Sequence, residues 1–202
     1  MFLENYRYIY PVAESVNSRQ HKENRLQQRA KVIWLTGLSG SGKTTLSTLL
    51  ERELSSMGFL SQVLDGDNIR NGISNNLGFQ HEDRVENIRR VAEVSRLMLH
   101  CGVITICACI SPTEEIRQMA YEIIGKEDVI EIFTNSPLQV CEQRDPKGLY
   151  NKARMGKIKN FTGIHAPFEH PSSPDLVINT DQEPATASLN RMLQTILPSI
   201  TI

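Results

Sequence analysis

The chain lacks an excess of charge of either sign. Lys and Arg number 22 against 23 Asp and Glu, a formal net charge of −1 over 202 residues. A near-neutral chain has no general attraction for nucleic acid or anionic membranes, so any anion it binds must be held by a few placed groups. No apolar run approaches the ~20 residues that a membrane-spanning helix needs. Residues 1–11 are broken by Glu4, Asn5 and Arg7 and do not read as a secretory signal. Cysteines are few (Cys101, Cys107, Cys109 and Cys141) and no C-x-x-C pair exists. That spacing argues against a zinc site or disulfide frame and for reduced, mostly buried thiols in the cytoplasm. Internal repeats and low-complexity tracts are missing too, and 40% hydrophobic with 22% charged residues is ordinary for a globular protein. A chain of this length can bury a sizeable core unaided.

What is present is an alternation of short apolar runs with helical spacing. Val32–Thr36 reads as a buried strand, and Leu46, Leu49, Leu50, Leu54 and Met57 as one face of a helix over 44–57, ended by Gly58. A strand at 62–64, a helix at 84–100 and a strand at 103–110 follow. Ser111-Pro112-Thr113-Glu114 has the form of a helix start, with Ser111 as cap, and Ser136-Pro137-Leu138-Gln139 repeats it. Strands at 129–133 and 176–179 and a helix around 189–196 complete the pattern. This predicts an α/β fold with a parallel sheet of about five strands flanked by helices. Residues 1–30 form an N-terminal arm, with a short surface helix as the alternative from Ser18, and 31–202 form one domain. The irregular segment at about 145–172 has the length of a lid.

Gly37-Leu38-Ser39-Gly40-Ser41-Gly42-Lys43-Thr44 fits G-x-x-x-x-G-K-[ST] between a predicted strand and a predicted helix. Glycines let the backbone curl so that its N–H groups surround phosphate oxygens, and the helix N-terminus adds partial positive charge. Lys43 can reach the β- and γ-phosphates, and Thr44 offers a hydroxyl to Mg²⁺. A guanine-reading N-K-x-D is absent, because Asn151-Lys152 continues as Ala153-Arg154, so the expected nucleotide is ATP. The next strand delivers Asp65-Gly66-Asp67 to the carboxyl edge of the sheet, where open α/β sheets bind ligands. Two carboxylates there, near a triphosphate, can hold Mg²⁺ waters and accept a hydroxyl proton, although an idle Asp-Gly turn has the same sequence. Arg70, Arg84, Arg89 and Arg90 could hold a phosphate or sulfate, or merely solvate a helix face.

The order of these segments is more particular than any one of them. Together with Leu77-Gly78-Phe79, Ile110-Ser111-Pro112, Asp145-Pro146-Lys147-Gly148-Leu149-Tyr150 and Asn160-Phe161-Thr162-Gly163-Ile164, the chain resembles the adenylyl-sulfate kinase (APS kinase) family over about residues 31–180. The resemblance implies a P-loop kinase fold and transfer of phosphate from MgATP to the 3′-hydroxyl of adenosine 5′-phosphosulfate (APS), in sulfate assimilation. It implies ATP on residues 37–44 and Arg144, and APS on Arg70, Phe79, Arg84, Asn87, Ile110, Ser111, Lys147, Lys152 and Phe161. Phe79 and Phe161 would sandwich the APS adenine. Lys43, Asp65, Asp67 and Ser111 would be the catalytic set, Thr44 and Asp65 the Mg²⁺ ligands, and the molecule a homodimer. The family's serine at position 111 is assigned a phosphoserine intermediate, in competition with the helix-cap reading. Thr113-Glu114-Glu115-Ile116-Arg117 departs from the family's more basic run and adds negative charge there. The rival readings are another P-loop kinase acting on gluconate or a nucleoside monophosphate, and a non-catalytic nucleotide-binding regulator.

Overall fold

The computed structural model describes residues 16–202. Five strands, β1 (Val32–Thr36), β2 (Ser61–Asp65), β3 (Ile104–Ala108), β4 (Val129–Asn135) and β5 (Leu176–Asn179), form one sheet in the order β2-β3-β1-β4-β5. Every pairing is parallel, with Val32 opposite both Thr105 and Val129. Among the described residues the helices are α1 (Arg19–Leu26), α2 (Lys43–Ser56), α3 (Gly66–Asn71), α4 (His81–His100), α5 (Glu114–Ile124), α6 (Leu138–Arg144), α7 (Leu149–Arg154) and α8 (Ala185–Ile200). The expected architecture is therefore the observed one.

Strand periodicity divides the core in two. Val32 and Trp34 of β1 face one side with Ile88, Val91 and Leu99 of α4 and Ala120 and Ile124 of α5. Ile33 and Leu35 face the other with Leu46, Leu50 and Leu54 of α2 and Met192 and Ile196 of α8. Both faces of the central strands are covered, which is why all five residues of β1 and of β3 are buried.

Several boundaries differ from the sequence reading. Helix α4 starts at His81 rather than 84, because the Gln80 backbone N–H donates to the Asp83 carboxylate (3.2 Å) and turns the chain early. The expected cap at Ser111 is not there. Helix α5 begins two residues later, and Thr113 Oγ1 accepts from the Ile116 N–H (3.4 Å) as its cap. Ser136 does not cap α6 either; Pro137 stands at that position and the Ser136 hydroxyl has no partner. Asp65-Gly66-Asp67 is more than a turn, since Asp65 caps α3 by accepting from the Asp67 N–H (3.0 Å).

The expectation for residues 1–15 lies outside the described residues. From Arg19 on, the helix alternative is the one observed, and it is anchored. The Arg19 guanidinium donates to the Asp128 carboxylate and to the Ala30 carbonyl (2.8 Å). The buried Gln28 side chain donates to the Leu60 and Gly102 carbonyls and accepts from the Leu60 N–H. Three cysteines are buried as expected, Cys101 is exposed, and all four are free thiols. Among the described residues no helix is long and apolar enough to cross a membrane.

Candidate active site

The segment Gly37–Gly42 leaves the end of β1, the central strand, and runs directly into α2 at Lys43. Gly37, Gly40 and Gly42 take φ of +150°, +74° and +101°, conformations that L side chains rarely adopt. At Gly37 space is closed as well, since a Cβ would lie 2.3 Å from Thr134 Oγ1. Gly37→Ala is expected to cost about 1–3 kcal/mol of stability through overpacking, read as a lower midpoint in urea or thermal unfolding. Inside the loop, the buried Lys43 ammonium donates to the Gly37 (2.9 Å) and Leu38 (2.8 Å) carbonyls. Burial pulls its pKa down to about 8. The Ser41 hydroxyl pairs with Thr134 Oγ1 (2.8 Å), and the Tyr150 hydroxyl donates to the Ser39 carbonyl (2.9 Å), fixing the loop from below and from the 145–172 segment expected to form the lid.

The Thr44 hydroxyl donates to Asp65 Oδ2 (2.8 Å), so the end of β2 meets the start of α2. Asp67 is ion-paired with Lys147 across the cleft. Among the described residues no cluster of three or more His, Cys, Asp or Glu could hold a metal ion. Thr44 and Asp65 are two hard oxygen donors, which suits an Mg²⁺ that keeps waters and takes other oxygens from a bound phosphate.

One cavity of about 1080 Å³ spans both sides of this loop. On the β2–β3 side its wall includes Asp65, Asp67, Arg70, Phe79, Arg84, Asn87, Ile110 and Ser111. Phe79 is 57% exposed, unusual for a core residue, and the Arg70 guanidinium lies 4.5 Å from its ring centroid. Arg84 donates to the Phe79 carbonyl (3.0 Å) and reaches across to Thr162 Oγ1 and the Asn160 carbonyl of the lid. Burial lowers the pKa of both arginines, yet each starts so high that both stay cationic near neutrality. Asn87 is buried and its Oδ1 has no partner, a polar atom in the wall of a ligand-sized cavity with a hydrogen bond to spare. Phe161 enters from the lid and packs edge-on against Tyr150, with ring centroids 5.0 Å apart.

On the β4–β5 side the wall holds Arg144, Thr180, Glu183 and Ser188. Arg144 donates to Thr180 through its carbonyl (2.7 Å) and Oγ1 (3.0 Å). The sequence reading missed Thr180, Glu183 and Ser188, although Thr180 directly follows β5, the edge where such sheets bind ligands. It also missed Lys157 and Lys159, lid cations that line the cavity, and the buried thiol of Cys109, which desolvation pushes up to about 12. Gly37, Leu38 and Ser41 lie behind the lining rather than in it. Lys152 is exposed and outside the lining, and Arg154 turns away to pair with Glu142 (2.8 Å). The negative charge of Glu114 is taken up by Arg117 (2.7 Å) and by Gln118 (2.8 Å).

Residues 29–179, which contain the loop, the carboxylate edge and the lid, match the adenylylsulphate kinase family. The chain belongs to that family. The adenylyl-sulfate kinase of Bacteroides thetaiotaomicron is 55% identical over 198 residues, 98% of each chain. That of Phocaeicola vulgatus is 56% identical over 192 residues, 95% of this chain and 94% of that one. Among solved structures, the Mycobacterium tuberculosis APS kinase in complex with AMPPNP and APS is 42% identical, with a TM-score of 0.81, covering 84% of this chain and 98% of that one. As an adenylylsulphate kinase, the chain has the five-stranded parallel sheet of the P-loop kinases, and the two-sided cavity lies at its carboxyl edge.

Proposed function

We propose that this chain transfers the γ-phosphoryl group of ATP to the 3′-hydroxyl of APS, yielding 3′-phosphoadenosine 5′-phosphosulfate, ADP and a proton. The observation that carries the reading is the single cavity with the phosphate loop at its middle. A triphosphate on the loop leaves room for one nucleoside on each side, ATP toward Arg144 and Thr180 and APS toward Phe79, Arg84 and Asn87.

Phosphoryl transfer asks for positioning and charge neutralisation more than for a strong base. The loop N–H groups and Lys43 hold the triphosphate, and Arg144 flanks the ATP side. Mg²⁺, carried by Thr44 and Asp65 when bound, supplies charge neutralisation on the phosphates. Asp67 orients the acceptor hydroxyl and accepts its proton, with Lys147 balancing the carboxylate until substrate arrives. Arg70, Arg84 and Asn87 hold the phosphosulfate end and ribose, and Phe79 and Phe161 grip the adenine. The lid, residues 145–172, covers the cleft with Lys147 and excludes water. We place the enzyme in sulfate assimilation, in the cytoplasm, as a homodimer; sedimentation of the purified chain checks the last point.

Ser111 favours direct transfer over a phosphoserine intermediate. It is 1% exposed, its hydroxyl donates to Thr36 Oγ1 (2.8 Å), and it accepts from Trp34 Nε1 (3.1 Å). Ser111→Ala should lower kcat by less than about ten-fold, whereas loss of an obligatory nucleophile would cost on the order of 10⁴ or more. The same variant should lose about 1–3 kcal/mol of stability from the unpaired Trp34 and Thr36 groups. The functional reading itself is tested by ADP release with MgATP and APS, AMP or gluconate in turn. Activity confined to APS is expected. Activity only with AMP or gluconate marks another kinase, and nucleotide binding without turnover marks a regulator.

A further inference from the structure

Arg117 is fully buried in α5, and nothing in the reaction described above uses it. Its Nη1 donates to the Ser111 carbonyl (2.9 Å) and its Nη2 to Glu114 Oε2 (2.7 Å), while its Nε lies 3.3 Å from Glu131 Oε1 of β4. One carboxylate thus hydrogen-bonds the guanidinium beneath that carbonyl, and a second, from another element, lies beside its Nε without a hydrogen bond. Burying a guanidinium seldom stabilises a fold more than an apolar side chain would.

The carbonyl it holds belongs to Ser111, which sits at φ +39°. A non-glycine residue persists there only when its surroundings over-determine it, and such residues gather at functional sites. Ser111 lies between Ile110 and Pro112, and all three line the cavity. The same turn is tied to the phosphate loop. The Thr36 hydroxyl donates to the Ile110 carbonyl (2.8 Å), and Thr36 directly precedes Gly37. The Thr36 carbonyl accepts from Thr134 Oγ1 (2.8 Å), which pairs with Ser41 inside the loop. A continuous polar chain therefore crosses the carboxyl ends of β3, β1 and β4, with Arg117 at one end and the loop at the other.

We propose that Arg117 is a positioning residue that pins the Ser111 carbonyl and so sets the Ile110–Pro112 turn, as a wall of the acceptor side, in register with the phosphate loop. Without the pin the turn relaxes toward negative φ and the acceptor hydroxyl loses its alignment. ATP, held by the loop's own N–H groups, is unaffected. The proposal rests on the kinase reading, which wild-type turnover with APS tests separately.

The experiment is steady-state kinetics of Arg117→Lys with APS and ATP, alone and combined with Ser111→Gly, alongside calorimetric titration of ATP. Lysine keeps the charge but loses the fork that bonds the Ser111 carbonyl and the Glu114 carboxylate at once. The expected result is a 10–100-fold lower kcat with the KM and Kd for ATP within about two-fold. Ser111→Gly should restore most of that loss, because glycine takes a positive φ without being held. Should Arg117→Lys not fold, Glu114→Ala releases one arm of the fork at a 37%-exposed side chain, and a 3–10-fold loss in kcat with unchanged ATP affinity is expected. The proposal is overturned if kcat stays within two-fold of wild type. It is equally overturned if ATP affinity falls in step with kcat and glycine at 111 restores nothing, since Arg117 then serves stability alone.

Discussion

Lys43→Ala should lower kcat/KM for ATP by about 10²–10³-fold, the range seen when one preorganised donor is removed from a site of developing negative charge. Lys43 is the one cation inside the loop curl, with Nζ within 3 Å of two loop carbonyls, so no neighbour can replace it. Steady-state kinetics with ATP varied at saturating APS reads the effect. Its titration adds a second signature. Burial lowers the ammonium to about 8 from 10.5 in the unfolded chain. As pH rises through about 8 the free enzyme loses this charge, and kcat/KM for ATP should fall. The kcat should hold to higher pH, because bound phosphates restore the protonated form. Stability moves the other way. Between pH 8 and 10.5 the unfolded chain binds more protons at this lysine than the folded one, so this group's contribution to stability rises with pH across that window. Lys43→Met should abolish the kcat/KM inflection near pH 8; an inflection that survives belongs to another group.

Arg84→Ala should raise the KM for APS by about 10–100-fold, with the KM for ATP nearly unchanged. The guanidinium joins three pieces of the acceptor side: the Phe79 carbonyl, Thr162 and the Asn160 carbonyl. Each charge-assisted bond contributes about 1.5–3 kcal/mol, so losing the equivalent of one gives that range. Two effects combine here. A cation is lost from the APS wall, and the lid segment beside Phe161 is untied from α4. Arg84→Lys should recover only part of the affinity, because an ammonium cannot span the carbonyls and the hydroxyl together. Initial rates with APS varied at saturating ATP distinguish the two variants, and an equal rise in the KM of both substrates would move Arg84 out of the acceptor side.

The fold was legible because its signals were local and strong. The apolar run at 32–36 and the helical spacing after Lys43 left little choice of period, and the G-x-x-x-x-G-K-T loop between them named its own geometry. One wall of the cavity was legible through Asp65, Asp67, Arg70 and Arg84, all four of which line it. The helix caps were not. Ser111-Pro112 has the composition of a cap, but the Ser111 hydroxyl is drawn into Trp34 and Thr36, residues about 75 positions away, and local spacing does not show that competition. Thr180, Glu183 and Ser188 escaped for a related reason. They enter the cavity only because β5 lies beside β4, a pairing of strands more than 40 residues apart. Lys157 and Lys159 resembled ordinary solvated lysines, and only the path of the lid turns them inward. The near-zero net charge described the whole surface and said nothing of this cleft, where Arg70, Arg84, Arg144, Lys43 and Lys147 converge.

The most direct test of the central claim is phosphorus NMR of the product formed from MgATP and APS by the purified chain. The account predicts stoichiometric ADP and one new phosphomonoester on the 3′-oxygen of APS, with the phosphosulfate intact. ATP hydrolysis without a new ester, or an ester at the 2′-oxygen, would contradict it.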